Sequence, residues 1–289
     1  MSEDGSSQKR TVAEVVTEEG GFCEGFVDLR SRLHYPDSAM RWFLGLLLLS
    51  LVFVGGCTSW FDSNARLFED PNLERVVREA IQKPTGELRP EDLPGLRRLK
   101  AEGLGIVSLK GIQHCIDLEH IRLDDNQIIN VRPLSSLSRL TLLHLDNNRI
   151  VDISPLFGLT NLEELFLDGN IVDIRGLPRL RHLNALSLEN CRISDISPLA
   201  GLTNLIWLTL GNNQIVDISV LSNFTKLSLL SLDNNKIVDI NALVENRGLP
   251  GAWIDIRHNN LDLTPGSSDM KNIEALLDQG TAVDYEPQN

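Results

Sequence analysis

The sequence predicts an α/β fold in the form of a solenoid, in which short repeats stack so that their strands make one parallel sheet. Leucine supplies 50 of the 289 residues and aromatic residues only 5%, which favours many small, similar core layers over one core built on large rings. The pattern Leu-x-x-Leu-x-Leu-x-x-Asn also recurs every 21 or 22 residues. Such a fixed period is typical of a chain in which each unit packs only on its neighbours.

Composition and charge exclude several classes of protein. The chain has 27 basic and 40 acidic residues, a formal net charge of −13, so nucleic acid is not an expected partner. With 42% hydrophobic residues the chain is not mainly disordered. Four cysteines are too few for a scaffold built on disulfides.

A lipoprotein signal is predicted near the N-terminus. The apolar run 42–54 follows Arg41 and has 13 residues, which suits a signal peptide, whereas a membrane-spanning helix needs roughly 20. The run ends in small residues before Cys57 (Val-Gly-Gly-Cys) and resembles the lipobox of bacterial lipoproteins. The resemblance implies that the Cys57 thiol carries a diacylglycerol and anchors the chain to a membrane of the bacterial cell envelope, with the outer membrane favoured. The alternative is a buried apolar segment with a chance cysteine.

The polar segment 1–39 does not fit a signal peptide, because it holds 8 acidic and 4 basic residues. We expect translation to start at Met40, with a long polar leader as the alternative. The expected organisation is a leader or upstream segment at 1–39, the signal peptide at 40–56, a lipidated tether at 57–67, an N-terminal helical cap at 68–95, repeats at 96–263 and a C-terminal cap at 264–289.

Each end of the solenoid is expected to carry a cap, since the terminal repeats would otherwise expose core. Asp70-Pro71 predicts the start of a helix and Pro84 its end, with residues 86–93 continuing a helical cap. A second helix precedes a strand at 281–285 that covers the last sheet edge. The apolar stripes of the two helices are Leu73, Val76, Val77, Ala80 and Ile81, and Ile273, Leu276 and Leu277.

Within each repeat, alternating leucines predict a short strand with one buried side. The asparagine that follows can bond the backbone where the chain leaves the strand. The second half, such as Ile153-Ser154-Pro155-Leu156, predicts a 3-10 or extended turn on the convex side, where the one-residue deletion after Asn170 is expected to be absorbed. The asparagine positions are Asn126, Asn148, Asn170, Cys191, Asn213, Asn235 and Asn259.

This pattern resembles the leucine-rich repeat family in its internalin-like bacterial form, over about residues 68–285. The 22-residue repeats of protein-phosphatase regulatory subunits are a related variant. The resemblance implies a leucine-rich repeat horseshoe with the parallel sheet on its concave side. It also implies that a protein or peptide ligand binds there, to a chain that is a monomer and needs no cofactor.

In this fold the strand residues between the leucines point out from the concave side. Phe166, Trp207 and Trp253 are conspicuous there, because aromatic residues are scarce in the chain and dominate protein interfaces. The first strands are basic and the later ones acidic or apolar, so a partner with the opposite arrangement would be steered. The alternative is that the rings pack on their neighbours or beneath the tether. The candidate binding residues are Arg98, Lys100, His120, Arg122, Leu142, His144, Glu164, Phe166, Trp207, Leu229, Trp253 and Arg257.

No catalytic or metal-binding residue is predicted. The sequence has no phosphate-binding loop, dinucleotide glycine pattern or Gly-x-Ser-x-Gly elbow. His120 and His144 have no nucleophile beside them, so we interpret them as solvated histidines on a binding face. The aspartates after the strands resemble a cation site, but hydrogen bonds to the loops are the favoured interpretation. Cys115 and Cys191 lie too many turns apart to bridge and are predicted as buried thiols.

These inferences predict an envelope lipoprotein that binds another protein through its concave face, as an interaction or adhesion module. Two alternatives stay open. One is a periplasmic scaffold that holds an envelope complex. The other is an intracellular regulator of the protein-phosphatase type, which requires the lipobox to be spurious.

Overall fold

The structure, a computed structural model, describes residues 66–289. The predicted start at Met40, the signal peptide and Cys57 lie outside the described residues. None of the helices in the described part combines the length and the apolar character that crossing a bilayer would need.

In residues 66–289, nine three-residue strands form one parallel sheet, in which each strand pairs with its neighbours in the chain. The predicted repeat solenoid is therefore confirmed. The register advances by 22 residues at most steps and by 21 between β4 and β5, which is the step that carries the deletion after Asn170. The strands are β1 Arg98–Lys100, β2 His120–Arg122, β3 Leu142–His144, β4 Glu164–Phe166, β5 Ala185–Ser187, β6 Trp207–Thr209, β7 Leu229–Ser231, β8 Trp253–Asp255 and β9 Ala282–Asp284.

The chain returns between most strands through a short 3-10 turn, as predicted. Aspartates fix these turns from the preceding position: Asp152 Oδ1, for example, accepts a hydrogen bond from the Ser154 amide at 2.9 Å. Two returns differ: the one between β7 and β8 contains the short α-helix α2, Asn241–Glu245, and the one between β8 and β9 contains the helix of the C-terminal cap. The 3-10 turns are Pro90–Asp92, Ile112–His114, Arg132–Leu134, Ser154–Gly158, Leu177–Arg179, Ser197–Gly201 and Ser219–Asn223.

A ladder of buried asparagines joins each turn to the next. Asn170 Oδ1 accepts from the Ile150 amide at 3.0 Å, and its Nδ2 donates to the carbonyls of Leu145 and Leu167 at 2.9 and 3.0 Å. In the unit without asparagine, the Cys191 thiol donates to the Leu167 carbonyl at 3.3 Å. The ladder thus satisfies backbone groups that the three-residue strands cannot pair.

Left-handed backbone precedes every position of this ladder. Asn147, with φ of 54°, and Gly169, with φ of 71°, come before Asn148 and Asn170. This conformation is costly for most L-residues and tolerated by glycine, asparagine and aspartate, which explains the residue types found there. This sharp change of chain direction at the end of the strand lets the side-chain amide of the next residue reach back under the strand.

The N-terminal cap is helix α1, Pro71–Ala80. Asp70 caps it as predicted, since its Oδ1 accepts from the Asn72 amide at 2.9 Å, and its Oδ2 accepts from the Val107 amide at 2.8 Å in the first repeat. Two predictions were wrong. Ala80 is exposed at the end of the helix, and residues 86–93 contain only one 3-10 turn, because Pro90 removes a backbone donor and cannot continue a helix.

The C-terminal cap is helix α3, Ser268–Asp278, followed by β9, which pairs with β8. Ile273 and Leu276 are buried as predicted, but Leu277 is 44% exposed. The helix ends one residue after Leu277, so this side chain has no further turn to pack against. The predicted strand over the last sheet edge is confirmed.

We predict that Asn170→Ala lowers the free energy of unfolding by about 2–4 kcal/mol, because it leaves a buried amide and several carbonyls without partners. Asn170→Cys is expected to lose less, since Cys191 already fills the equivalent position. Urea unfolding measures both, with Asn161→Ala as the matched control: its exposed side chain makes a single bond, to the Ser138 carbonyl. Equal stability of Asn170→Ala and this control would contradict the role of the ladder.

Candidate functional site

The side chains that point away from the core make three columns, which together we call the outward face. It corresponds to the predicted concave side. Because consecutive strands are parallel and in register, equivalent positions lie side by side, about 4.8 Å apart. The first column is Arg98, His120, Leu142, Glu164, Ala185, Trp207, Leu229 and Trp253; the second is Lys100, Arg122, His144, Phe166, Ser187, Thr209, Ser231 and Asp255; the third is Glu102, Asp124, Asp146, Asp168, Glu189, Gly211, Asp233 and Arg257.

Aromatic and aliphatic side chains occupy the middle and the C-terminal half of this face. Trp207 is 44% exposed and Trp253 is 36% exposed, with the half-buried Leu229 between them in register. The Phe166 ring lies 6.0 Å from the Trp207 ring, tilted by 55°. Trp253 is partly fixed, because its Nε1 donates to Asp284 Oδ2 at 3.1 Å. The result is an apolar patch on a rigid sheet.

His144 is not the solvated histidine that the sequence predicted. It is 8% exposed, and its ring stacks on Phe166 with centroids 4.2 Å apart and an angle of 11°. Phe166 covers it because the two are register partners on adjacent strands. Within residues 66–289 the buried Nε2 has no hydrogen-bond partner, and the nearest carboxylate oxygen, on Glu164, lies at 3.8 Å. Burial lowers the pKa of His144.

The acidic third column holds successive turns together. Asp124 Oδ1 accepts from the Asp146 amide at 3.0 Å, and Asp146 Oδ1 accepts from the Asp168 amide at 2.8 Å. Asp168 continues the chain by accepting from the Glu189 amide at 2.7 Å. These bonds are the loop contacts favoured by the sequence. In the described range 66–289 no group of side chains is arranged to hold a metal ion.

The column is also electrostatically strained at its centre. Burial, and then the charge of Asp168, raises the pKa of Asp146 to about 7. Burial also raises the pKa of Asp124 and of Asp168. A pattern of aspartates in a sequence cannot reveal this, because the shift depends on how much water the neighbouring turns remove from each carboxylate.

At the C-terminal end of the face, Arg257 is already engaged. Its Nη2 lies 2.6 Å from Asp255 Oδ2 and its Nε 3.0 Å from Asp255 Oδ1, a two-point ion pair. By contrast, Arg98, Lys100 and Arg122 at the other end are exposed. Most candidate residues therefore belong to an apolar patch, to a cationic end, or to two positions, His144 and Arg257, that contact neighbouring side chains. The half-buried His120 and Glu164 belong to none of these groups.

We predict that Asp146→Asn stabilises the protein above about pH 7 and not near pH 4. The folded state holds the Asp146 proton up to about pH 7, whereas an ordinary aspartate loses it near 3.8, so this group's contribution to stability is lost as the pH rises through that window. The expected gain is about 1–2 kcal/mol after allowance for partial exposure. Thermal unfolding from pH 4 to pH 8 measures it.

The matched control for this experiment is Asp152→Asn. Hydrogen bonds from Ser154 lower the pKa of Asp152, so its contribution is present above pH 4 and lost on acidification. This variant is expected to be the less stable one at neutral pH, the opposite sign. If Asp146→Asn destabilises the protein at neutral pH, the pKa of the Asp146 carboxyl is not raised in the folded state.

Comparison with known proteins agrees with this architecture. The family model that matches describes two consecutive copies of a leucine-rich repeat. It matches three ranges of this chain, 116–158, 138–179 and 203–245. A search of curated proteins found no match. Among solved structures, an internalin (InlF) from Listeria monocytogenes is similar with 31% identity and a TM-score of 0.69, over 77% of this chain and 64% of that one. The chain thus spans less than two thirds of that relative.

A second internalin, internalin C2 from the same species, is similar with 36% identity and a TM-score of 0.64, over 70% of this chain and 90% of that one. A leucine-rich repeat protein from Leptospira interrogans shares the fold with 21% identity and a TM-score of 0.50, over 62% of this chain and 51% of that one. On the repeat period, the asparagine ladder and these matches, the chain belongs to the leucine-rich repeat family in its internalin-like form.

Proposed function

We propose that this protein is a lipid-anchored module of the bacterial cell envelope that binds another protein through its outward face. The internalin-like fold supports a protein-binding repeat module in general. The finer proposal concerns where the partner binds and how the chain is held at a membrane, with Cys57 as the acylated residue and the outer membrane favoured.

The exposed tryptophans carry the proposal. Trp207 keeps 44% of its surface in water although its register neighbours Ala185 and Leu229 are buried and half-buried. Burying the rest of such a ring against a partner is favourable at roughly 25 cal/mol per Å² of apolar surface. Because the sheet already fixes its backbone, little conformational freedom remains to be lost on binding.

The polar setting of the patch also fits a protein partner. Ser187, Thr209 and Ser231 flank the apolar residues and are buried, with the Ser187 hydroxyl 2.6 Å from Asp168 Oδ1 and the Ser231 hydroxyl 2.6 Å from Asp233 Oδ1. Their hydrogen-bonding groups are satisfied within the sheet. A partner that covers the tryptophans therefore leaves no hydroxyl group there without a hydrogen-bond partner. An apolar anchor beside satisfied polar groups is the arrangement found at interface hot spots.

We predict that Trp207→Ala combined with Trp253→Ala abolishes capture of the partner in a crosslinking pull-down with the purified chain, because two aromatic anchors that binding would bury are lost together. Loss of the Trp253 bond to Asp284 could loosen the C-terminal cap, so Trp207→Ala alone, with an expected loss of about 2 kcal/mol of binding free energy, is measured as well. Val151→Ala and Val216→Ala remove exposed apolar side chains from outside the outward face and serve as matched controls. Undiminished capture by the double variant, with an intact melting transition, would refute binding at this face.

Lipidation has a separate test. Cells that express the chain are expected to incorporate labelled palmitate into it, and Cys57→Ser is expected to remove the label completely, because only a thiol at that position can be acylated by the lipoprotein pathway. The control variant Cys191→Ser also replaces one cysteine but leaves the lipobox intact, so it should incorporate as much label as the parent chain. A parent chain without label would contradict the anchor.

A further inference from the structure

The first two strands place like charges against each other on the outward face. Lys100 and Arg122 are register partners in the second column, and Arg98 lies in the first column of the same pair of strands. All three side chains are exposed. The strands that carry these cations lie about 4.8 Å apart, so the three side chains give this end of the face a concentrated positive charge that an anion between them would stabilise.

No carboxylate in residues 66–289 forms an ion pair with these cations. Within residues 66–289, none of these three cations has a carboxylate oxygen within the 4.0 Å that defines an ion pair, whereas the neighbouring Arg97 and Arg139, outside this face, are paired with Glu119 at 3.4 Å and with Asp117 at 2.5 Å. Asp124 lies close enough to Arg122 for the two charges to interact, but its Oδ1 accepts from the Asp146 amide and it forms no ion pair with the arginine. The cluster therefore presents three exposed cations without a direct ion pair, which an acidic ligand would engage.

The rest of the outward face indicates which groups a ligand would carry beside its anionic part. From β3 onward the first two columns contain no exposed cation, and their apolar members are Leu142, Phe166, Ala185, Trp207, Leu229 and Trp253. The third column stays acidic over the same turns and its carboxylates accept backbone amides. An acidic ligand segment is thus attracted to β1 and β2 and repelled from the later turns, which fixes its direction along the face.

We propose that the partner is a protein segment that presents an acidic cluster to Arg98, Lys100 and Arg122 and apolar side chains to the patch between β3 and β8. The segment runs across the strands over the first two columns. Arg122 in β2 and Trp207 in β6 are four strand spacings apart, roughly 19 Å, so the acidic cluster and the main apolar anchor are separated by about six residues of extended chain. This inference rests on the proposed protein-binding function and specifies the partner's chemistry.

The test uses synthetic probes and the full chain. One fluorescein-labelled peptide carries a glutamate cluster, a spacer of about six residues and a Leu-Trp-Leu anchor; a second has lysines in place of the glutamates. Fluorescence anisotropy gives their dissociation constants at low and high ionic strength. The variants are Arg98→Glu with Arg122→Glu, and Arg149→Glu with Lys236→Glu as a control that changes two exposed cations outside the face.

We expect the glutamate probe to bind the parent chain about tenfold more tightly than the lysine probe at low salt, with the preference reduced at high salt. Charge reversal at Arg98 and Arg122 should weaken the glutamate probe by about tenfold or more, while the control pair changes it by less than about twofold. The melting temperature of the Arg98 and Arg122 variant should stay within a few degrees of the parent, since both side chains are exposed and form no ion pair in residues 66–289.

Several outcomes would overturn the inference. They are no saturable binding of the glutamate probe, equal or tighter binding of the lysine probe, and unchanged affinity after charge reversal. Binding to phosphatidylglycerol vesicles that is lost in the same variant would assign the cations to a lipid headgroup instead. If charge reversal has no effect but Trp207→Ala and Trp253→Ala still abolish partner capture, the proposed function stands and only the partner's chemistry is wrong.

Discussion

The fold depends on how a chain with three-residue strands can satisfy its backbone. So short a strand forms few ladder bonds, and the turn that follows it is buried against the next repeat. The side chain of one asparagine per turn, such as Asn170, answers both needs by accepting from the turn before it and donating to carbonyls on two turns. Because its reach is limited, the length of the unit varies little, from 21 to 24 residues between β1 and β8. The common 22-residue register aligns the outward columns.

The same constraint shows where variation is tolerated. Cys191 replaces asparagine and keeps a weaker version of the bonds, with the thiol 3.3 Å from the carbonyls of Leu167 and Glu189. The deletion after Asn170 shortens the return path without moving the strands out of register, since β4 still pairs Leu165 with Leu186. Strand and ladder positions therefore keep the same residue types from repeat to repeat, because the packing and the hydrogen bonds require them. Differences in repeat length are accommodated on the convex side.

The sequence was sufficient for the elements whose pattern repeats and insufficient where a single contact decides. The repeat pattern predicted the first eight strands, the segment 281–285 was predicted as the ninth, and Asp70-Pro71 predicted the first helix. The predictions that Leu277 is buried and that residues 86–93 are helical were wrong. An apolar stripe or a turn signal in the sequence does not show where a helix loses contact with the rest of the fold. His144 was mistaken because its burial comes from one ring on the next strand, Phe166, at 4.2 Å. The outward position of Trp207 follows from the repeat alone, but its exposure does not, since Ala185 and His144 also belong to the outward columns and are buried.

The separation of ladder and columns has an evolutionary consequence. Each repeat contributes its own leucines and asparagine to the core, and its outward positions make few demands on them. Duplication of one whole unit would lengthen the outward face by about 4.8 Å and add fresh positions to each column while leaving the caps unchanged. New specificity can therefore arise by gain, loss and point substitution of units, at little risk to folding.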